Sequence, residues 1–187
     1  MKKYQSMKKS FQKGFTLVEL GIVVVVAAVI LSVVLPKVGE VFGGAKTNGE
    51  LQELPDVIAK IQKIYSNAPS YAGATLQTVA DMGAFPASRI VVANPASVTN
   101  RWGGAVTLAV STITTANDTV NLSHTNIPAQ ACIDVISQLG NSMGGIRIIT
   151  VGGVTVKADG ANVDNALLAT NCNAGGAANT VVYRFSK

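Results

Sequence analysis

Apolar positions along this chain follow three regimes. From Phe15 to Leu35 they are nearly continuous, broken only by Thr16, Glu19, Gly21 and Ser32. Roughly 21 residues at about 1.5 Å each give about 31 Å of helix, enough to cross a hydrocarbon core. A helix apolar on every side is covered by lipid or by protein. The second regime is a stretch of helix breakers, Pro36 followed by Gly39, Gly43, Gly44 and Gly49. Proline removes one backbone hydrogen bond, and each glycine weakens a helix by about 1 kcal/mol. A bend or partial melting is expected there, with Pro36, Gly43 and Gly44 as its centre. Helical spacing returns in Leu51, Leu54, Ile58, Ile61 and Tyr65, one apolar stripe of an amphipathic helix. That helix either starts afresh at Gly49–Glu50 or continues the first as one bent rod; Asn67–Ser70, with Pro69, ends it.

The third regime has period two. Leu76–Met82 reads as a short helix stopped by Gly83. Ile90–Val92 is a short strand. Val106, Leu108 and Val110 alternate with smaller residues. Val120, Leu122 and His124 share one face; Ile146 and Ile148 share another. Val181, Tyr183 and Phe185 mark a final strand, Thr180–Ser186. Gly152-Gly153 and Gly175-Gly176 read as turns. Pro128–Leu139 reads as a helix opened by its proline, with Cys132, Val135, Ile136 and Leu139 on its inner side. The pattern predicts an α+β fold, with an antiparallel sheet covered on one face by the Leu51–Tyr65 stripe.

Charge separates one more piece. Lys2, Lys3, Lys8, Lys9 and Lys13 precede the apolar run with no acid among them. The chain has 15 basic and 10 acidic residues, so removing these five lysines leaves 10 against 10. The basic balance belongs to this leader and not to the domain, which argues against nucleic-acid binding. By the positive-inside rule the N-terminus is cytoplasmic and the rest is exported. The apolar run is longer than a secretory h-region, and Leu35-Pro36-Lys37 does not resemble a cleavage site.

One carboxylate within the apolar run is a functional hypothesis in itself. Lys13-Gly14-Phe15, with Glu19 four residues on and an unbroken apolar helix behind, resembles the N-terminus of a type IV prepilin. The resemblance implies cleavage between Gly14 and Phe15 by prepilin peptidase, N-methylation of Phe15, and retention of the apolar helix. It divides the chain into a cleaved leader (1–14), a membrane or filament-core helix with a Gly-rich bend (15–50), and an α+β head (51–187). It also implies an assembly role for Glu19. Its carboxylate can meet the Phe15 ammonium of a neighbouring subunit in a low-dielectric core, or that of its own chain one helical turn away.

The exported domain holds two cysteines, Cys132 and Cys172, which an oxidising periplasm should close into a disulfide; two buried free thiols are the alternative. Such a C-terminal disulfide loop is again similar to pilins. A cysteine in a core helix and a large head resemble the type IVb class, as does, more weakly, Trp102-Gly103-Gly104. The short leader, Phe15 and Pro36 resemble type IVa.

Enzymatic chemistry finds little support. The chain has one histidine, His124, placed on a strand at the surface or core edge. No cluster has metal-ligand spacing, no phosphate-binding loop precedes a helix, and no nucleophile elbow occurs. No cofactor is implied. Asn117-Asp118-Thr119 and Asn121-Leu122-Ser123 match the glycosylation triplet. Some mobility is expected at Gly175–Asn179. The resemblance implies a major pilin, a self-assembling filament subunit for adhesion, aggregation, conjugation or motility. A minor pilin or type II secretion pseudopilin is the alternative. Partners in trans are the peptidase, an assembly ATPase with its inner-membrane platform, and an outer-membrane secretin. The precursor would sit in the inner membrane and the mature protein in an extracellular filament.

Overall fold

The computed structural model describes residues 17–187, with the side chains of residues 33–42 set apart from that description. The chain divides into two compact units, Met1–Val41 and Phe42–Lys187. Helix α1, Leu17–Ile64, contributes to both. No new start occurs at Gly49–Glu50: the helical backbone runs through Pro36, Gly43, Gly44 and Gly49. Propensity is the weaker influence there, because Leu54, Val57, Ile58 and Ile61 are buried in the head. Burying each such side chain contributes about 1.5–3 kcal/mol, against about 1 kcal/mol lost per glycine. The side chain of Pro36, central to the expected bend, lies outside the described residues.

In the N-terminal unit the large aliphatic side chains from Leu17 to Leu31 are all more than half exposed. Among the described residues no helix is long and apolar enough to cross a membrane. The expected span, Phe15–Leu35, extends at both ends beyond the described side chains.

The second unit is built on seven antiparallel strands: β1 (Ile90–Ala93), β2 (Ala96–Thr99), β3 (Ala105–Ser111), β4 (Thr119–Ile127), β5 (Ile146–Val151), β6 (Val154–Lys157) and β7 (Asn179–Ser186). Their spatial order is β1-β2-β3-β4-β7-β5-β6. Three further helices are α2 (Leu76–Asp81), α3 (Ala129–Leu139) and α4 (Asn165–Ala174). One core joins the α1 stripe to Val120 and Leu122 of β4 and to Val181, Tyr183 and Phe185 of β7. Gln62 adds a polar tie, its Nε2 donating to the Ser186 carbonyl at 2.6 Å. This is the α+β arrangement expected from the two periodicities.

Three local readings change. Ile148 is not a core partner of Ile146, because β5 slips register against β7 between them. The buried set is Ile146, Ile149 and Val151. Strands β2 and β6 were not expected; each has only four residues and too little alternation to register. Helix α4 was not expected either. Asp164 starts it by accepting from the N–H groups of Ala166 and Leu167, at 2.9 and 3.0 Å.

The β3–β4 connection is organised by Asp118. Its carboxylate accepts from the backbone N–H of Ile113, Thr114 and Thr115, at 2.8, 2.7 and 2.9 Å. The Thr115 bond and then the Ile113 bond are the main reasons its carboxyl drops from 3.8 to about 2. A depressed folded-state value stabilises the fold above the ordinary carboxyl range, and that contribution disappears as pH falls through the folded value. Asp118→Asn should therefore melt below the parent at about pH 5, with the gap narrowing toward about pH 2. Thermal melts across that range check it; a gap independent of pH would exclude a role for the charge.

Candidate functional site

Gly14 and Phe15 lie outside the described residues, and so do the cleavage and methylation expected there. Glu19 occupies the first described turn of α1, beside Leu17, Val18 and Leu20. It is the one carboxylate on a helix surface that is otherwise uncharged and apolar from Leu17 to Leu31. Chemically such a surface can associate, and one ionisable group can set how it does so. Farther along, a Cβ added at Gly43 or Gly44 would meet nothing within 4 Å. Packing within one chain does not require these glycines.

Gly49 has a different environment. A Cβ there would run into the Arg101 guanidinium, which lies against the helix. The sequence reading took Gly49 as a helix breaker; in the fold it gives room for an ionic cluster. Arg101 Nη2 donates to Glu53 Oε2 at 2.6 Å, and Arg89 Nε donates to Glu53 Oε1 at 3.1 Å. One turn earlier on α1, Glu50 Oε1 lies 3.0 Å from Nδ1 of His124, both residues at most 5% exposed. This contact has ion-pair distance without hydrogen-bond alignment, since neither ring nitrogen of His124 has a hydrogen-bond partner. The Tyr183 ring meets the imidazole edge-on at 5.8 Å. Burial, and then the charge of Glu50, hold the Tyr183 hydroxyl well above its ordinary value. Breaking one side of such a buried pair costs more than the pair contributes net. The cluster therefore specifies the seat of the Glu50–Ile64 part of α1 on the head more than it strengthens it.

Sequence reasoning missed this cluster, although it placed His124 on a strand with Val120 and Leu122. A signal was present: Glu50 and Glu53, three apart, flank the Leu54 stripe on one helix face. Their partners are distant in sequence. Asn100 positions Arg101 by accepting from the N–H of Trp102 and Gly104, at 3.0 and 2.9 Å, while its Nδ2 donates to the Thr125 carbonyl at 2.7 Å. The Trp102-Gly103-Gly104 segment is thus a built turn.

Cys132 and Cys172 form a disulfide joining α3 to α4. Beyond it Asn179 is 3% exposed, and its Nδ2 donates to the carbonyls of Ile127, Cys172 and Gly176. The Gly175–Asn179 turn, expected to be mobile, is tied by this amide to both α4 and β4. Among the described residues no group of three or more His, Cys, Asp or Glu could hold a metal ion.

The fold of the second unit has solved counterparts. A type IVb pilin from Salmonella typhi superposes with a TM-score of 0.61 at 19% identity, covering 75% of this chain and 99% of that one. TcpA, a type IV pilin from Vibrio cholerae El Tor biotype, gives 0.57 at 15% identity, covering 76% and 99%. No curated protein sequence matches the chain. The family model described as PilS N terminal matches residues 44–186, nearly the whole head and the end of α1. The chain belongs to the PilS N-terminal family, and its fold is that of the type IV pilins on which it superposes.

Proposed function

We propose that this protein is the major subunit of a type IV pilus. The observation that carries the reading is the apolar surface of α1 from Leu17 to Leu31, all of whose large side chains stand open. Water is a poor solvent for a surface of that size and continuity. Lipid covers it before assembly and copies of the same helix cover it afterwards, so transfer between the two keeps it dry throughout. Before assembly the subunit is anchored in the inner membrane by residues 15–35, with the lysine-rich leader in the cytoplasm. Prepilin peptidase cuts between Gly14 and Phe15, and Phe15 is methylated. The new ammonium and Glu19 of adjacent subunits then align the helices. Pro36, Gly43 and Gly44 let the helix bend within the filament; the open space at both glycines supports this. The residue ranges are 1–14 for the leader, 15–50 for the anchor and bend, and 51–187 for the head. An assembly ATPase with its platform and an outer-membrane secretin act in trans. The class is type IVb-like in the head, which the likeness to the Salmonella typhi type IVb pilin supports, with a type IVa-like short leader.

N-terminal sequencing of the principal protein in sheared surface material tests processing and copy number together. The expected result is an abundant filament protein that starts at methylated Phe15. A protein of low abundance with the same N-terminus would make it a minor pilin. Native protein that still begins at Met1 and stays in the membrane would end the reading.

A further inference from the structure

The head carries a second polar feature, unrelated to the Glu50–Glu53 cluster. A cleft of about 220 Å³ opens between the α3–β5 connection and the turn after β6; Asn141, Met143, Arg147, Lys157, Asp159 and Asn162 are among its walls. At ~30 Å³ of liquid per water it has room for about seven waters. That is more than a lone carboxylate or phosphate fills.

Its chemistry is uneven. Lys157 is only 8% exposed, and its Nζ donates to a single carbonyl, Ala161, at 2.6 Å. An ammonium has three donors, so two remain for the cleft. Lys157 forms no ion pair among the described residues. Water in the cleft can meet those two donors, and a carboxylate placed there would replace it with a charge-assisted hydrogen bond. Arg147 does not compete for that anion, because its Nε and Nη2 grip the two oxygens of Asp159 at 2.6 and 2.9 Å. Asp159 accepts those two bonds and keeps the rest of its roughly four lone-pair sites. Asn141 accepts from the Val163 N–H at 2.9 Å, which leaves its amide NH2 as a donor. The cleft thus offers a cation, an amide donor and a carboxylate acceptor around a hexose-sized space.

We propose that this cleft binds a carboxylate-bearing sugar, its acid group on Lys157 and its ring hydroxyls on Asp159 and Asn141. A neutral sugar forgoes the charge-assisted bond to Lys157, and a small anion leaves Asp159 and most of the volume unused. The site belongs to the head alone and does not depend on filament assembly.

Gly144 stands on the cleft wall, where an added Cβ meets nothing within 4 Å. Gly144→Asp therefore introduces a negative charge without a clash, and Gly144→Asn is its uncharged control. The full chain in detergent micelles is titrated with methyl glucuronide, methyl glucoside and acetate, while backbone amide shifts are followed. The glucuronide should give saturable shifts confined to residues 140–162, with the glucoside and acetate weaker by at least about tenfold. Gly144→Asp and Lys157→Gln should each lose about tenfold or more, and Gly144→Asn no more than about twofold. Unchanged shifts elsewhere report an intact head. If Lys157→Gln unfolds, the Asp and Asn variants at Gly144 decide the matter alone. Absence of saturation with the glucuronide, equal binding of acetate or glucoside, or Gly144→Asp binding as the parent does would each overturn the proposal.

Discussion

Glu19→Val should leave the subunit in the membrane and cut surface filaments by at least about tenfold, Glu19→Gln giving an intermediate yield. Two opposed effects set the sign. Removing a carboxylate from an apolar segment eases insertion, by up to about 2.5–3.5 kcal/mol at the bilayer centre and less near an interface. In the proposed assembly the variant loses the attraction between Glu19 and the ammonium of a neighbouring Phe15. At 4 Å that attraction is about 4 kcal/mol in a medium of intermediate polarity, before desolvation offsets part of it. In the proposed assembly a subunit out of register leaves a charge unpaired, a penalty added to that of mismatched side-chain packing. Membrane fractionation and quantification of sheared filaments separate the two effects. Parental filament yield from Glu19→Val would remove any assembly role for this residue.

Replacing both cysteines by alanine should lower the stability of the head by roughly 4 kcal/mol. The bridge spans 40 residues of sequence, and closing a loop of that length restricts the unfolded chain by about this amount. Both sulfurs lie in the core, at most 1% exposed, so a packing loss is added to the entropy term. The effect should be local in origin and global in consequence. The bridge joins α3 to α4, and Asn179 connects the end of α4 to the start of β7. Urea unfolding under oxidising and reducing conditions measures it. An unchanged midpoint on reduction would show that the bridge adds nothing to the fold.

Sequence legibility followed the strength of local pattern. The stripe Leu54, Ile58 and Ile61, the face Val120, Leu122 and His124, and the face Val181, Tyr183 and Phe185 were all readable, and all are buried. Each repeats three times or more at one period. Strand β5 misled because a slip in register puts Ile149, and not Ile148, beside Ile146 in the core. Periodicity presumes an unbroken ladder. Helix α4 was hidden because only Leu168 and Cys172 face inward among many small polar residues; its one clear mark was the Asp164 cap. The glycines were misjudged where tertiary contacts decided. Gly49 was read from helix propensity, whereas its role is set by an arginine about fifty positions away. The Glu50–His124 and Glu53–Arg89–Arg101 contacts depend on that same long-range folding. The apolar helix with Glu19 stood out because a carboxylate in such a run contradicts its surroundings.

The order of strands has a consequence for how the newly made chain folds. β7, the last of the seven to be synthesised, lies in the middle of the sheet and joins β4 to β5. Until it arrives, a four-stranded piece and a two-stranded piece each present a raw inner border, ready to pair with whatever extended segment is nearby. Such distant pairings form slowly, so these borders stay exposed while each new polypeptide waits for its keystone. Holding factors, or a low local density of nascent chains, would matter most during that interval.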